Sequence, residues 1–237
     1  MNITVNEVFG PTLQGEGPRS GRRCAFVRLA RCNLNCSWCD TPYTWDWKGQ
    51  NGVAYDPSVE ARTAAVRDVV AAVGSFDVAE VVISGGEPLV QRHGMQALVE
   101  ALVMFGYHVS VETNGTLPPG DLSALVDLFT VSPKLAHSGC APEARYRPEA
   151  LDAFSALARA DAACFKFVVA AEADVDEVAM LVGAHRLPDR SVWLMPEGRT
   201  AAEVLSRQGF VNDTAVAHGW NACTRLHVLG WGDERGR

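Results

Sequence analysis

The sequence has no run of about 18 apolar residues, the length a membrane-spanning helix needs, so neither a span nor a membrane partner is expected. It has no basic surplus either. Its 21 lysines and arginines face 28 aspartates and glutamates, giving a net charge of -7 and a pI near 5.4. That balance argues against broad electrostatic binding to nucleic acid, while a small local basic pocket stays open. The opening "MNITVNEVFG" lacks the basic and apolar regions of a signal peptide, so a cytoplasmic protein is expected. Repeats, low-complexity tracts and linkers are absent. The 237 residues, 48% hydrophobic and 21% charged, can bury one sizeable core, and a single domain over 1–237 is expected.

In a reducing compartment, seven cysteines point to metal or redox chemistry rather than disulfides. Cys24, Cys140, Cys164 and Cys223 are scattered, and Cys24 and Cys164 lie in apolar runs that suit buried structural thiols. The other three crowd into "RCNLNCSWCD" (31–40) with the spacing C-x3-C-x2-C and no fourth cysteine nearby. A structural zinc site is closed by four ligands, so zinc would need a distant cysteine or histidine. A redox dithiol in "CSWC" leaves Cys32 unexplained. A 4Fe–4S cluster has four iron corners. Cys32, Cys36 and Cys39 would hold three of them on the tight loop 32–39 and leave one iron open. The amino and carboxylate groups of S-adenosylmethionine can fill such a vacancy.

Short apolar runs at 24–30, 78–84, 108–113, 128–133, 164–170, 191–196 and 224–230 read as strands. Helical spacing appears at 57–74, 88–106, 174–185 (with Asp174 as its cap) and 201–209. This alternation predicts a parallel α/β sheet covered by helices. In such folds chemistry collects at the C-terminal ends of strands. The unusual motifs fall there: the cysteine loop, "SGGEP" (84–88), "ETNG" (112–115), "SPK" (132–134) and "MPEG" (195–198). Gly85 and Gly86 would let backbone approach a ligand closely. The polar, aromatic stretch 40–58 is long for a structureless loop, which suits a functional segment.

C-x3-C-x2-C with an aromatic, Trp38, before the last cysteine is the signature of radical S-adenosylmethionine enzymes. With "TLQGEG" (12–17) and "FVRLARCNLNCSWCDTPYTW" (26–45), the motif series resembles the 7-carboxy-7-deazaguanine synthases. The resemblance implies a truncated, open (β/α)6-type partial TIM barrel with a modified core. It implies a homodimer and an electron donor such as flavodoxin or ferredoxin. The implied reaction contracts 6-carboxy-5,6,7,8-tetrahydropterin to 7-carboxy-7-deazaguanine with loss of ammonia, on the way to queuosine-type 7-deazapurines. The implied cofactors are one 4Fe–4S cluster, S-adenosylmethionine and Mg2+.

Carried over by resemblance, Trp38, Gly86, Ser132, Pro133, Lys134, Met195, Pro196, Glu197 and Gly198 would contact S-adenosylmethionine. Leu13, Gln14, Gly15, Glu16, Ser84 and Arg28 would meet the substrate, with Arg28 clamping its carboxylate, a role the planar guanidinium suits. His227 would reach the substrate or be a core histidine. Thr41 would be the Mg2+ ligand, although charge alone favours Asp40. The tail, within a segment of about 224–237, would close over the substrate. Two other readings share some of these features: a glycyl-radical-enzyme activase of the same superfamily, and a non-catalytic zinc module.

Overall fold

In the computed structural model, which describes all 237 residues, the β-branched runs become neighbours in one sheet. In chain order the elements are β1 (Asn2–Leu13), β2 (Arg23–Leu29), α1 (Pro57–Glu60), β3 (Arg62–Ala65), α2 (Val66–Gly74), β4 (Glu80–Gly85), α3 (Arg92–Met104), β5 (His108–Thr113), β6 (Leu128–Val131), α4 (Pro142–Arg145), α5 (Pro148–Arg159), β7 (Ala163–Val169), α6 (Glu172–His185), β8 (Val192–Pro196), α7 (Ala201–His218), β9 (Asn221–Ala222) and α8 (Leu226–Trp231). The sheet order is β3-β1-β2-β4-β5-β6-β7-β8-β9. From β2 to β9 every pair is parallel, whereas β1 runs antiparallel to both β2 and β3. The edges β3 and β9 do not pair with each other, so the six full parallel strands form an open, partial barrel.

Strands buried on both faces read as continuous apolar runs, and all seven residues of β7 are buried. Between sheet and helices lies a core in which Leu98, Phe129, Phe154 and Phe165 are fully buried. The parallel strands all direct their C-terminal ends to one rim, and each strand-to-helix turn delivers a motif there. No helix is long and apolar enough to cross a membrane.

Several elements differ from the sequence reading. The stretch 57–74 is not one helix: α1 ends at Glu60, and 62–65 pairs with residues 2–5 of β1. Edge pairing with a long strand outweighs helical spacing there. The segment 224–230 is not a strand. β9 ends at Ala222, and α8 then folds back over the strand ends, with Leu226 N donating to Gly15 O at 2.9 Å. Helix α7 runs nine residues beyond position 209, until Gly219 adopts a left-handed φ of 71°. Asp174 sits inside α6 rather than at its cap position, and accepts from Ala170 N at 2.8 Å and Ala171 N at 3.0 Å. Sequence reading did not assign β1 or α5.

Candidate active site

The cysteine loop leaves β2 and is tied down on every side. Arg31 N donates to Thr44 O at 2.6 Å, Ser37 N to Ser138 O at 2.9 Å, and the Asn51 side chain to Cys36 O at 2.9 Å. Asn33 bridges to the segment after β5, donating to Thr116 Oγ1 at 2.8 Å and accepting from Asn114 Nδ2 at 2.9 Å. Cys32, Cys36 and Cys39 all line one cleft at the strand ends. Burial pushes their thiol pKa values up, that of Cys32 to about 12, so a bound cation must stabilise the thiolates that metal binding requires.

Three thiols on one tight loop are a donor set that fits an iron–sulfur cluster. A fourth, Cys140, packs beside them with its Sγ 3.7 Å from that of Cys36. Trp45 Nε1 already donates to Cys39 Sγ at 3.3 Å, the kind of hydrogen bond that stabilises a ligating sulfur. A side chain at Gly86 would fill the approach to the loop: an ideal Cβ there falls 2.9 Å from the Cys32 Cβ. Trp38 Nε1 is buried without a partner, an open donor at the rim of the loop.

The "SGGEP" turn is bonded to the next motif. Glu87, fully buried, accepts from Leu89 N at 3.0 Å, Thr113 Oγ1 at 2.9 Å and Asn114 N at 2.6 Å. It thereby ties "GGEP" to "ETNG", and burial raises its pKa above the ordinary carboxyl value. Ser84 and Gly86 face the cleft, as do Ser132 and Lys134, whose Nζ donates to Ser132 Oγ at 2.9 Å and lies 5.4 Å from the Trp38 ring centroid. Met195, Glu197 and Gly198 also line it, whereas Pro133 and Pro196 shape their turns without lining it.

On the β1 side, Leu13, Gln14, Gly15 and Glu16 line the same cleft. Gln14 Nε2 donates to Glu112 at 3.1 Å. Lys166 Nζ donates to Glu16 Oε2, and Arg225 Nε to Glu16 Oε1 at 3.0 Å. Burial would raise the Glu16 pKa, but these two cations outweigh it and hold the carboxyl far below the ordinary carboxylate range. His227 lies on α8, not on a strand; its Nε2 is 3.9 Å from Glu16, and its ring packs so closely that a Cβ on Gly15 would fall 2.1 Å from Nδ1. Burial, only partly countered by Glu16, lowers its pKa. His227 thus faces the cleft rather than the core.

Arg28 projects from β2 into the cleft. Its Nε donates to Glu7 at 2.7 Å, and the guanidinium lies 5.4 Å from the Phe9 ring centroid and 6.0 Å from that of Tyr43. Arg28 lines the cleft, and its one side-chain hydrogen bond to the protein is the one from Nε. Thr41 Oγ1 lies 3.8 Å from Cys39 Sγ, while Asp40 accepts from Arg225 Nη2.

Sequence reasoning missed Lys166 and Arg225 as cleft residues, and it placed Glu112 there only as part of "ETNG". Lys166 carried a usable signal: a lone charge in the apolar strand "CFKFVVA", the same signal that singled out Arg28 in "FVRLA".

Comparisons with known proteins converge. Residues 27–149 match the family model of the Radical SAM superfamily. The chain is 39% identical over 238 residues to the 7-carboxy-7-deazaguanine synthase of Pyrobaculum aerophilum, across 99% of this chain and 97% of that one. It is 36% identical over 250 residues to the synthase of Halobacterium salinarum, across 98% of this chain and 91% of the relative. Among solved structures it resembles QueE from Escherichia coli, with a TM-score of 0.72 and 26% identity over 95% of both chains.

Proposed function

The chain belongs to the 7-carboxy-7-deazaguanine synthase family of the Radical SAM superfamily, and on that premise we propose how its cleft performs the family's reaction. It is a radical S-adenosylmethionine enzyme, with a 4Fe–4S cluster and S-adenosylmethionine as cofactors. The substrate is 6-carboxy-5,6,7,8-tetrahydropterin. What carries this reading is the convergence on one cleft of the three loop cysteines, the anionic Glu16 and the guanidinium of Arg28.

Cys32, Cys36 and Cys39 hold the cluster. Trp38, Gly86, Ser132, Lys134 and the 195–198 turn, shaped by Pro133 and Pro196, hold S-adenosylmethionine. When bound, cluster and cofactor would supply the radical chemistry that the family's reaction needs. Glu16, kept ionised by Lys166 and Arg225, accepts from the N–H edge of the pterin, with Leu13, Gln14, Gly15 and His227 around the ring. Arg28 pairs with the substrate carboxylate, a charge-assisted contact, and Ser84 offers a hydroxyl beside it. Thr41, whose hydroxyl lies 3.8 Å from Cys39 Sγ, would be the residue that holds Mg2+, which would supply positive charge beside the substrate. Asp40 is the weaker candidate ligand because Arg225 already occupies it.

The C-terminal segment closes this single domain. Arg235 lies 4.1 Å from the Tyr43 ring centroid and donates to Glu60 at 2.6 Å, while Arg199 donates to Asp233 at 2.9 Å. These contacts hold residues 233–237 against the cleft, which they line. The working unit is a cytoplasmic homodimer reduced by a flavodoxin or ferredoxin.

The test is anaerobic turnover of the reconstituted chain with S-adenosylmethionine, reductant and the carboxy-tetrahydropterin, followed by ultraviolet absorbance and mass. The expected product is 7-carboxy-7-deazaguanine, absent with Cys36→Ala. Cofactor cleavage without consumption of the pterin would overturn the substrate assignment.

A further inference from the structure

Arg225 lies where three segments of the cleft meet. It is 7% exposed and immediately precedes α8. Its Nε donates to Glu16 Oε1 at 3.0 Å, its Nη1 to the Gly198 carbonyl at 2.6 Å, and its Nη2 to Asp40 Oδ2. The acceptors come from different places: the segment after β1, the turn after β8, and the residue following Cys39. A guanidinium offers its donors in a rigid planar fork, and a lysine ammonium on its flexible stem cannot reproduce that geometry. With Lys166 on its other oxygen, Glu16 has both oxygens fixed by cations. A carboxylate has about four lone-pair sites, so roughly two stay open to a ligand.

We propose that Arg225 is a positioning residue that couples the two ligand sites of the cleft, so that pterin bound at Glu16 and S-adenosylmethionine bound at the 195–198 turn strengthen each other. This rests on the reading above that assigns Glu16 to the pterin and Met195–Gly198 to the cofactor. A ligand that bonds the open sites of Glu16 sets where its oxygens lie, and through the fork sets the Gly198 carbonyl and Asp40 beside the second ligand. The arrangement that one ligand selects is the one the other needs, which is positive coupling without any large movement. The coupling is reciprocal by thermodynamic necessity.

The experiment measures dissociation constants on the anaerobic, cluster-loaded protein with the cluster oxidised and no reductant present, so that nothing turns over. Calorimetry gives the S-adenosylmethionine constant with and without saturating 6-carboxy-5,6,7,8-tetrahydropterin, and the pterin constant with and without the cofactor. In the wild type each ligand should tighten the other about 5-fold or more, the lower end of ordinary allosteric coupling. Arg225→Gln and Arg225→Lys should bring that ratio towards one. Arg225→Lys keeps the charge that Glu16 and Asp40 need, so it carries the test if Arg225→Gln does not load iron. A purely structural arginine would weaken each affinity and leave the ratio unchanged, and that result overturns the proposal. So does a wild type that binds both ligands independently, although the functional reading then stands. A wild type that does not bind the pterin at all overturns the functional reading, and the coupling with it.

Discussion

Replacing Gly86 by alanine tests whether the "GGEP" glycine is demanded by the protein itself or only by the ligand. An ideal Cβ at Gly86 falls 2.2 Å from the Arg31 carbonyl oxygen, 2.6 Å from its carbon and 2.9 Å from the Cys32 Cβ. The gap is closed by two backbone hydrogen bonds, Gly86 N to Leu29 O at 3.1 Å and Glu87 N to Arg31 O at 2.9 Å. The obstacle is therefore backbone, not a side chain that can swing away. Relief means parting the β4 turn from the root of the cysteine loop by more than an ångström. Overpacking of this kind costs roughly 1–3 kcal/mol, and each weakened hydrogen bond about 0.5–1.5 kcal/mol more. Taking about 3 kcal/mol, the melting temperature should fall by roughly 6–12 °C in a chain of this size. The assay is thermal unfolding of the metal-free protein together with iron per chain after anaerobic reconstitution. Both should fall, because Cys32 moves with Arg31. Gly183→Ala, in α6 with nothing within 4 Å of its Cβ, is the control and should be neutral or stabilising. If Gly86→Ala melts with the wild type and loads iron fully, the steric reasoning is wrong and the glycine serves the ligand alone.

Arg28→Ala should weaken pterin binding by about 1.5–3 kcal/mol, the worth of a hydrogen bond to a charged group. Slow uncoupled cleavage of S-adenosylmethionine should persist, and unchanged pterin affinity in a binding titration would place the clamp elsewhere. Chelating Mg2+ should slow product formation while sparing uncoupled cleavage. Thr41→Ala should lose most of the Mg2+ stimulation, and a wild-type response to added Mg2+ would reject Thr41 as the ligand. His227 has a folded pKa below its reference value of 6.5 because burial disfavours its charged form. Its contribution to stability is therefore present above pH 6.5 and is lost as pH falls through the folded pKa. Denaturant unfolding of metal-free His227→Asn between pH 8 and 5 should show a shallower loss on acidification than the wild type, and identical slopes would refute the assignment.

Much of the site was legible because its chemistry is local. Three thiols in eight residues, a Gly-Gly turn and a charged residue in an apolar strand are each decided within a few positions of the chain. The parallel α/β sheet followed from the alternation of short apolar runs with helices, and its open partial-barrel form from the family resemblance. What escaped was decided between distant segments. The split of 57–74 depends on β1 offering an edge to residues 62–65, and no local periodicity reveals an edge. The role of Glu87 was hidden for the same reason: its partners Thr113 and Asn114 lie a full strand–helix unit away.

The tail region shows how a wrong element can still yield a right face. Read as a strand, 224–230 would place Arg225 and His227 on the same side, since strand side chains repeat every two residues. The resemblance offered His227 as a substrate residue or a core histidine, and under the first choice this alternation places Arg225 in the cleft as well. The segment instead begins a six-residue helix, with Arg225 just before its first turn and His227 within it. Both side chains reach Glu16 all the same, Arg225 at 3.0 Å and His227 at 3.9 Å. The requirement that survives the change of element is electrostatic. A carboxylate as buried as Glu16 needs compensating charge, and Lys166 on β7 and Arg225 before α8 meet that need from two separate segments. A search for the cations that a buried motif glutamate requires would have led to Lys166 and Arg225, whatever secondary structure was assigned to them.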